Sequence, residues 1–222
     1  MKRAPIYPSY DRLAPVYDRL WQRYLVRTIT LVDQWTPLAG DETVLDVACG
    51  TGLWAARVLQ AHPQQRVVGV DRSVAMLRRA ARRGAGYPHV AWQAGSATAL
   101  PFASARFDVV VCASALHYFD DQHAAVAEMT RVLKLAGRVV ILDWCRDGIA
   151  MQVLDRVLRR FEAAHRQTYT AAELQALLGA AGLRVAQIQQ YNIGVFWKVM
   201  VATAQPIPAS HATTLAQHPS NA

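Results

Sequence analysis

Residues 44–52 read VLDVACGTG, from Val44 to Gly52. An apolar run is broken by one acid, Asp46, and a glycine-rich turn follows. The run predicts a buried strand over residues 43–48. Glycine loops at strand ends most often cradle phosphate through open backbone N–H groups. A carboxylate at the mouth of such a loop repels phosphate and favours a cation. The loop therefore asks for a ligand that approaches the backbone closely and carries positive charge.

Outward from this stretch, strands and helices alternate. Strands are predicted at 43–48, 66–71, 89–93, 107–113 and 137–143, and helices at 53–61, at 73–83 with Ser73 as cap, and at 122–133. FDVVVCA at 107–113 suits a strand covered on both faces. Residues 147–165 read as a helix with Val153, Leu154, Val157, Leu158 and Phe161 on one face. Thr170 and Glu173 form a capping box for a helix that ends at Gly182. Strands at about 183–191 and 194–203 are joined by a short link, which predicts antiparallel pairing. Upstream, residues 11–36 carry an amphipathic helical pattern from Leu13 to Trp35, broken early by Pro15 and ended by Pro37 and Gly40. Repeated β-α-β units imply a largely parallel sheet with helices on both faces and a ligand outside the carboxyl ends of the strands.

The chain of 222 residues is 53% hydrophobic, enough for one domain with a cap. It holds no apolar run of transmembrane length and its first residues lack a signal-peptide pattern, so the expected location is the cytoplasm. Cys49, Cys112 and Cys145 have no metal-ligand or disulfide spacing and read as reduced thiols; no metal site is expected. The net charge of +8 comes mostly from arginine. Arg78, Arg79, Arg82 and Arg83 read as one solvated helix face, and no nucleic-acid module accompanies them.

A second acid, Asp71, ends the strand at 66–71, about 20 residues after the loop, where a carboxylate accepts ribose hydroxyls. Its competing role is a helix N-terminal acid. Gly50 to Ala55 matches GxGxxA, so a nicotinamide dinucleotide fold competes; Asp46 argues against pyrophosphate there. S-adenosylmethionine answers both demands. It is a nucleoside with an ammonium and a sulfonium and no phosphate, and Gly50 and Gly52 let its methionine part approach the backbone.

VLDVACGTG, VVGVDRSVAML, GSATALPF, FDVVVCASALHYFDD and RVLKLAGRVVILD occur in this order. In this the chain resembles the class I S-adenosylmethionine-dependent methyltransferases over roughly residues 10–145. Its opening YDRLAPVYD resembles the branch containing the ubiquinone and menaquinone biosynthesis methyltransferases. The resemblance implies an α/β, Rossmann-like, seven-stranded and mostly parallel sheet, helices on both faces, an antiparallel last strand and an N-terminal helical cap. It divides the chain into a cap at 1–40 and a cofactor-binding domain at 41–204 with a lid insertion at 147–168; residues 205–222, rich in Pro, His, Ser, Thr and Ala and without periodicity, read as a disordered tail. The resemblance also implies that Asp46, Ala48 and Gly50 line the methionine end, that Asp71 holds the ribose, and that Arg72 and Met76 flank ribose and adenine. Ser96 and Ala97 would meet the adenine edge, Cys112 would offer its carbonyl to the ammonium, and Tyr10 and Tyr17 would close over the methionine end. Met76 and Tyr17 also suit plain core packing. Ser96 stands where the family usually has Asp, which removes a charged acceptor, and LKLAGR stands where LKPGGR is usual.

The implied activity is methyl transfer from S-adenosylmethionine, with S-adenosylhomocysteine as product, by direct displacement to a small acceptor. Such chemistry needs orientation and water exclusion more than acid–base groups. His117 is the leading base candidate, with loop ordering as its alternative role; Tyr118, Asp143 and the stretch 165–169 are weaker candidates. Trp21, Tyr24, Trp144, Phe161, Tyr169, Phe196 and Trp197 give the lid regions an aromatic character, which favours an apolar, lipid-like or quinone-like acceptor. Competing readings are an RNA or protein methyltransferase on the same fold and a non-catalytic interaction protein. The residues leave open a monomer or a homodimer. Arg12, Arg19, Arg23 and Arg27 also leave open peripheral membrane contact by the first helix.

Overall fold

The computed structural model describes residue 11 and residues 13–162, 165–194 and 197–208. In order the elements are α1 (Tyr17–Leu20), α2 (Gln22–Trp35), β1 (Thr43–Val47), α3 (Leu53–Ala61), β2 (Arg66–Asp71), α4 (Val74–Arg83), β3 (Val90–Ala94), β4 (Phe107–Ala113), a 3-10 turn (Leu116–Tyr118), α5 (Gln122–Val132), β5 (Leu133–Trp144), α6 (Ile149–Phe161), α7 (Ala171–Ala180), β6 (Leu183–Ile193) and β7 (Trp197–Pro206).

Side chains of a strand alternate between faces, and here both faces are covered. Val110 and Cys112 of β4 join one core cluster with Met129 of α5 and Leu174 and Leu178 of α7. Val109 and Val111 join the other with Trp54 and Leu59 of α3 and Val32 of α2. This two-sided burial explains why the central strands are continuous apolar runs.

The seven strands lie in the order β3-β2-β1-β4-β5-β7-β6. β1 pairs parallel with β2 and β4, and β4 parallel with β5. β7 runs antiparallel to both β5 and β6, so the last strand inserts between its predecessors. Chain direction across the sheet reverses between β1 and β4, and a crevice opens beyond their carboxyl ends.

Several boundaries differ from the sequence expectation. The first helix breaks at Trp21, whose φ of −103° and ψ of 13° leave the helical region, giving α1 and α2. β5 begins at Leu133, directly after α5, and a bulge absorbs residues up to Arg138. A side chain at Gly137 would sit 2.7 Å from the Asp108 carbonyl, so that bulge needs glycine. β7 runs to Pro206 and the Ile207 N–H donates to the Gly182 carbonyl at 2.9 Å, so residues 205–207 belong to the fold and not to a tail; residues 209–222 lie outside those described. Ser73 caps α4, and Thr170 with Glu173 closes the capping box of α7.

Candidate active site

The crevice spans about 890 Å³, the open solvent at its mouth included. Its floor is the loop after β1. Ala48 and Ser114, at the ends of β1 and β4, both hold positive φ, 58° and 54°, and both line the crevice. Non-glycine residues in this conformation are strained, and such strain concentrates at functional sites. Gly50 also has positive φ, and a Cβ built on it meets nothing within 4 Å. The missing side chain leaves space on the crevice side. Gly52 differs: a Cβ there would strike Trp92 at 2.7 Å and Ala80 at 2.9 Å, so its role is packing.

Asp71 lines the crevice and ties two loops together. Its Oδ2 accepts from the Gly50 N–H at 2.9 Å and its Oδ1 from the Ser73 N–H at 2.8 Å. Burial raises its pKa, partly offset by these backbone donors. Asp46 is buried beneath the loop, and burial, then the charge of Asp71, push its pKa up to about 8. Among the described residues no hydrogen-bond donor or cation answers its carboxyl. A buried acid of this kind stays protonated unless a positive charge arrives.

The cap closes on the same loop. Thr51 Oγ1 donates to Asp18 Oδ1 at 2.7 Å, and Arg83 donates to the other oxygen of Asp18 at 2.8 Å and to the Thr51 carbonyl. Arg83 therefore leaves the solvated face expected of its helix. Neither Asp18 nor Thr51 announced this clamp in the sequence, since partners 33 residues apart have no local signature. Tyr17 lines the crevice, its pKa pushed up to about 12 by burial and by the charges of Asp18 and Asp71. Tyr10 lies outside the described residues.

At the other end, Arg72, Ser96 and Ala97 line the crevice. Ser96 Oγ pairs with Thr98 Oγ1 at 2.8 Å, so its hydroxyl serves its own turn as well as the cavity. Met76 does both things expected of it: it is buried in the fold and its edge reaches the crevice. The Cys112 side chain is buried in the core and does not line the crevice; all three cysteines are free.

His117 sits behind the wall that Ala115, Tyr118 and Phe119 form. It is 1% exposed, and its ring stacks on Trp144 at 4.3 Å. Nδ1 pairs with Asp143 Oδ1, and the His117 backbone N–H donates to Oδ2 at 3.1 Å. Nε2 has no hydrogen-bond partner among the described residues. Asp143 thus fixes the turn after β4 rather than facing the ligand space. In the stretch 165–169, His165 Nε2 pairs with Asp155 at 2.8 Å inside the fold, and Tyr169 donates to Gln122 at 2.6 Å. Arg166 reaches the crevice mouth through Asp120 at 2.6 Å.

A hydrogen-bond chain that the sequence did not announce enters the crevice beside this wall. Trp144 Nε1 donates to Tyr24 Oη at 2.8 Å, and Tyr24 Oη lies 2.8 Å from Ser114 Oγ. Trp is a donor only. With Trp144 donating to it, Tyr24 satisfies its own proton by donating to Ser114, which leaves the Ser114 hydroxyl proton for the crevice. Tyr24 and Trp144 belong to an aromatic cluster with Trp21 and Trp197, ring centroids 4.5–6.4 Å apart. Phe161, expected in that lid, points outward, and Phe196 lies outside the described residues.

The pattern of a methyltransferase domain matches residues 44–137, the span from β1 into β5. The ubiquinone/menaquinone biosynthesis C-methyltransferase UbiE of Desulfotalea psychrophila is 32% identical over 207 residues, covering 82% of this chain and 80% of that protein. The chain belongs to the class I S-adenosylmethionine-dependent methyltransferases, in their quinone-methyltransferase branch. The 2-phytyl-1,4-naphtoquinone methyltransferase of Thermosynechococcus vestitus is 36% identical over 154 residues, covering 63% of this chain. The chain spans 64% of that relative's own length. Among solved structures, magnesium protoporphyrin IX methyltransferase of Synechocystis, with S-adenosylhomocysteine bound, superposes with a TM-score of 0.65 over 92% of this chain and 90% of its own; at 16% identity this is likeness of fold. No helix among the described residues is long and apolar enough to cross a membrane.

Proposed function

We propose that the crevice binds S-adenosylmethionine and that this methyltransferase-family chain directs its methyl group to a ring carbon of a small, mainly apolar, quinol-like acceptor. The observation that carries the proposal is Asp46, a buried carboxyl with no cation against it beside a loop with room for a ligand. When bound, the cofactor supplies an already activated methyl group. Asp46 would meet its ammonium, assisted by the Cys112 carbonyl, and Gly50 would let it approach. Asp71 accepts from the backbone at Gly50, Ser73 and Arg72, and its remaining acceptor capacity would serve the ribose hydroxyls. Ser96 and Ala97 would border the adenine, Arg72 and Met76 its sugar side, and Tyr17 would exclude water from the methionine end. No proton transfer is assigned to His117, whose ring holds the turn from behind.

The names of the quinone-methyltransferase relatives and the aromatic cluster support an apolar acceptor. Ser114 would donate a hydrogen bond to an oxygen of the acceptor in its quinolate form, which aligns the neighbouring ring carbon for in-line attack; the methyl–sulfur bond would break to release S-adenosylhomocysteine, and the displaced ring proton would pass to solvent. Methyl-labelled S-adenosylmethionine, incubated with demethylated quinols, apolar phenols, polar metabolites and RNA, tests the proposal. Label in the quinols or phenols is expected; label only in polar metabolites or RNA would sink it. Ser114→Ala is expected to lower kcat/KM for the acceptor about tenfold, the worth of one hydrogen bond, and to leave cofactor affinity unchanged. Equal loss for an acceptor lacking that oxygen would remove the role.

A further inference from the structure

α6 carries more apolar surface than the core uses. Its inner face, Met151 with Leu154 and Leu158, packs into the cluster that holds Trp144 and Trp197. Its outer face presents Ile149 (81% exposed), Val153 (51%), Val157 (46%) and Phe161 (80%). These residues recur every fourth position and form one stripe along the helix. The expected single apolar face is thus two faces, one inward and one outward.

The rest of the exposed surface of α6 is Ala150, Arg156, Arg159 and Arg160, with no carboxylate. Its one acid, Asp155, is turned inward onto His165 and Thr168, and its other oxygen lies 3.7 Å from Arg159. The neighbouring cap repeats the composition: Leu20 and Val26 are exposed beside Arg19, Arg23 and Arg27. Trp21 of the cap packs against Trp197, and so does Trp144, within the cluster that receives the inner face of α6.

We infer that the outer face of α6 is a docking surface for an anionic lipid bilayer. The stripe sinks to the acyl boundary and the arginines meet headgroup phosphates. Exposed apolar stripes of this kind mark interaction sites. The charge pattern selects the partner. A second copy docking face to face would set the arginines of one helix against those of the other, with no exposed carboxylate on either helix between them. An anionic bilayer satisfies both the apolar and the cationic parts. The surface stands independently of the methyl-transfer reading. Only its use, bringing an apolar acceptor from the lipid to the lid, rests on that reading.

The test is sedimentation of the full chain with vesicles of equal parts phosphatidylglycerol and phosphatidylethanolamine, against phosphatidylcholine alone. It needs neither cofactor nor acceptor, so its failure would leave methyl transfer standing. Binding to the anionic vesicles is expected to exceed that to neutral ones at least about tenfold and to weaken in high salt. The double variant Ile149→Asp, Phe161→Asp is expected to lose at least about tenfold while circular dichroism and Tm stay unchanged. Arg156→Glu with Arg160→Glu is expected to abolish the preference for anionic lipid. Equal sedimentation with both vesicle types, or with neither, would overturn the inference. So would light scattering that shows a dimer dissolved by the Ile149→Asp, Phe161→Asp pair in a protein that ignores vesicles.

Discussion

Asp46 is buried beneath the glycine loop, behind the residues that line the crevice, and the charge nearest to it is that of Asp71. The folded pKa of Asp46, about 8, lies above the ordinary 3.8, so between those values the folded chain binds a proton that the unfolded chain has lost. Stability of the ligand-free protein therefore falls as pH rises through this window. A cationic ligand reverses the preference by favouring the carboxylate. Affinity for S-adenosylmethionine is expected to rise between pH 6 and 7.5, by up to about tenfold per unit, while the ligand's ammonium stays charged. Titration calorimetry across that range checks this, with Asp46→Asn expected to bind weakly and without the slope. A wild-type affinity independent of pH would count against the pairing. Gly50 and Asp71 were legible in the sequence as crevice residues because charge and glycine conformation are local properties, whereas Asp46 was legible as an acid in a buried strand but lies beneath the lining rather than in it. The Ser114 chain was not legible, because its three members come from α2, the end of β4 and the end of β5. His117 was legible as a member of the turn but not in its orientation, which stacking on Trp144 decides.

At the scale of elements, the cap depends on a clamp rather than on its own helix. α1 is a single turn of four residues with no side-chain cap, and short helices do not persist unaided. Asp18, gripping Thr51 and Arg83, fastens it to the glycine loop. Asp18→Ala is expected to cost about 1 kcal/mol of cap closure, seen as roughly fivefold weaker binding of S-adenosylhomocysteine with little change in Tm. Stopped-flow release of the ligand would show the change in the off-rate. A shift in Tm with release unchanged would make the clamp a matter of stability alone. Helix and strand types were readable from periodicity, but the break at Trp21 was not, because the apolar pattern passes through it unchanged. The split of α6 into two apolar faces was hidden for a related reason. Val153, Leu154, Val157 and Leu158 are all apolar, and only packing against Trp144 and Trp197 decides which turn inward.

Across the whole molecule, the sheet order creates the crevice. β1 lies between β2 and β4, so loops from both sides meet over one floor. The parallel units and the antiparallel pairing of β6 with β7 followed from connection lengths in the sequence. That β7, not β6, lies against β5 depends on long-range pairing between residues such as Asp143 and Met200, which no local pattern encodes. The central claim is that the crevice holds S-adenosylmethionine, with Asp71 on its ribose. The measurement that tests it most directly is calorimetric titration of S-adenosylmethionine and S-adenosylhomocysteine into wild type and Asp71→Ala, with Tm measured in parallel. Micromolar binding by wild type is predicted, with a loss of at least about a hundredfold in the variant, the worth of charged hydrogen bonds to a bound hydroxyl pair. No binding by folded wild type, or equal binding by a folded Asp71→Ala, would contradict the account.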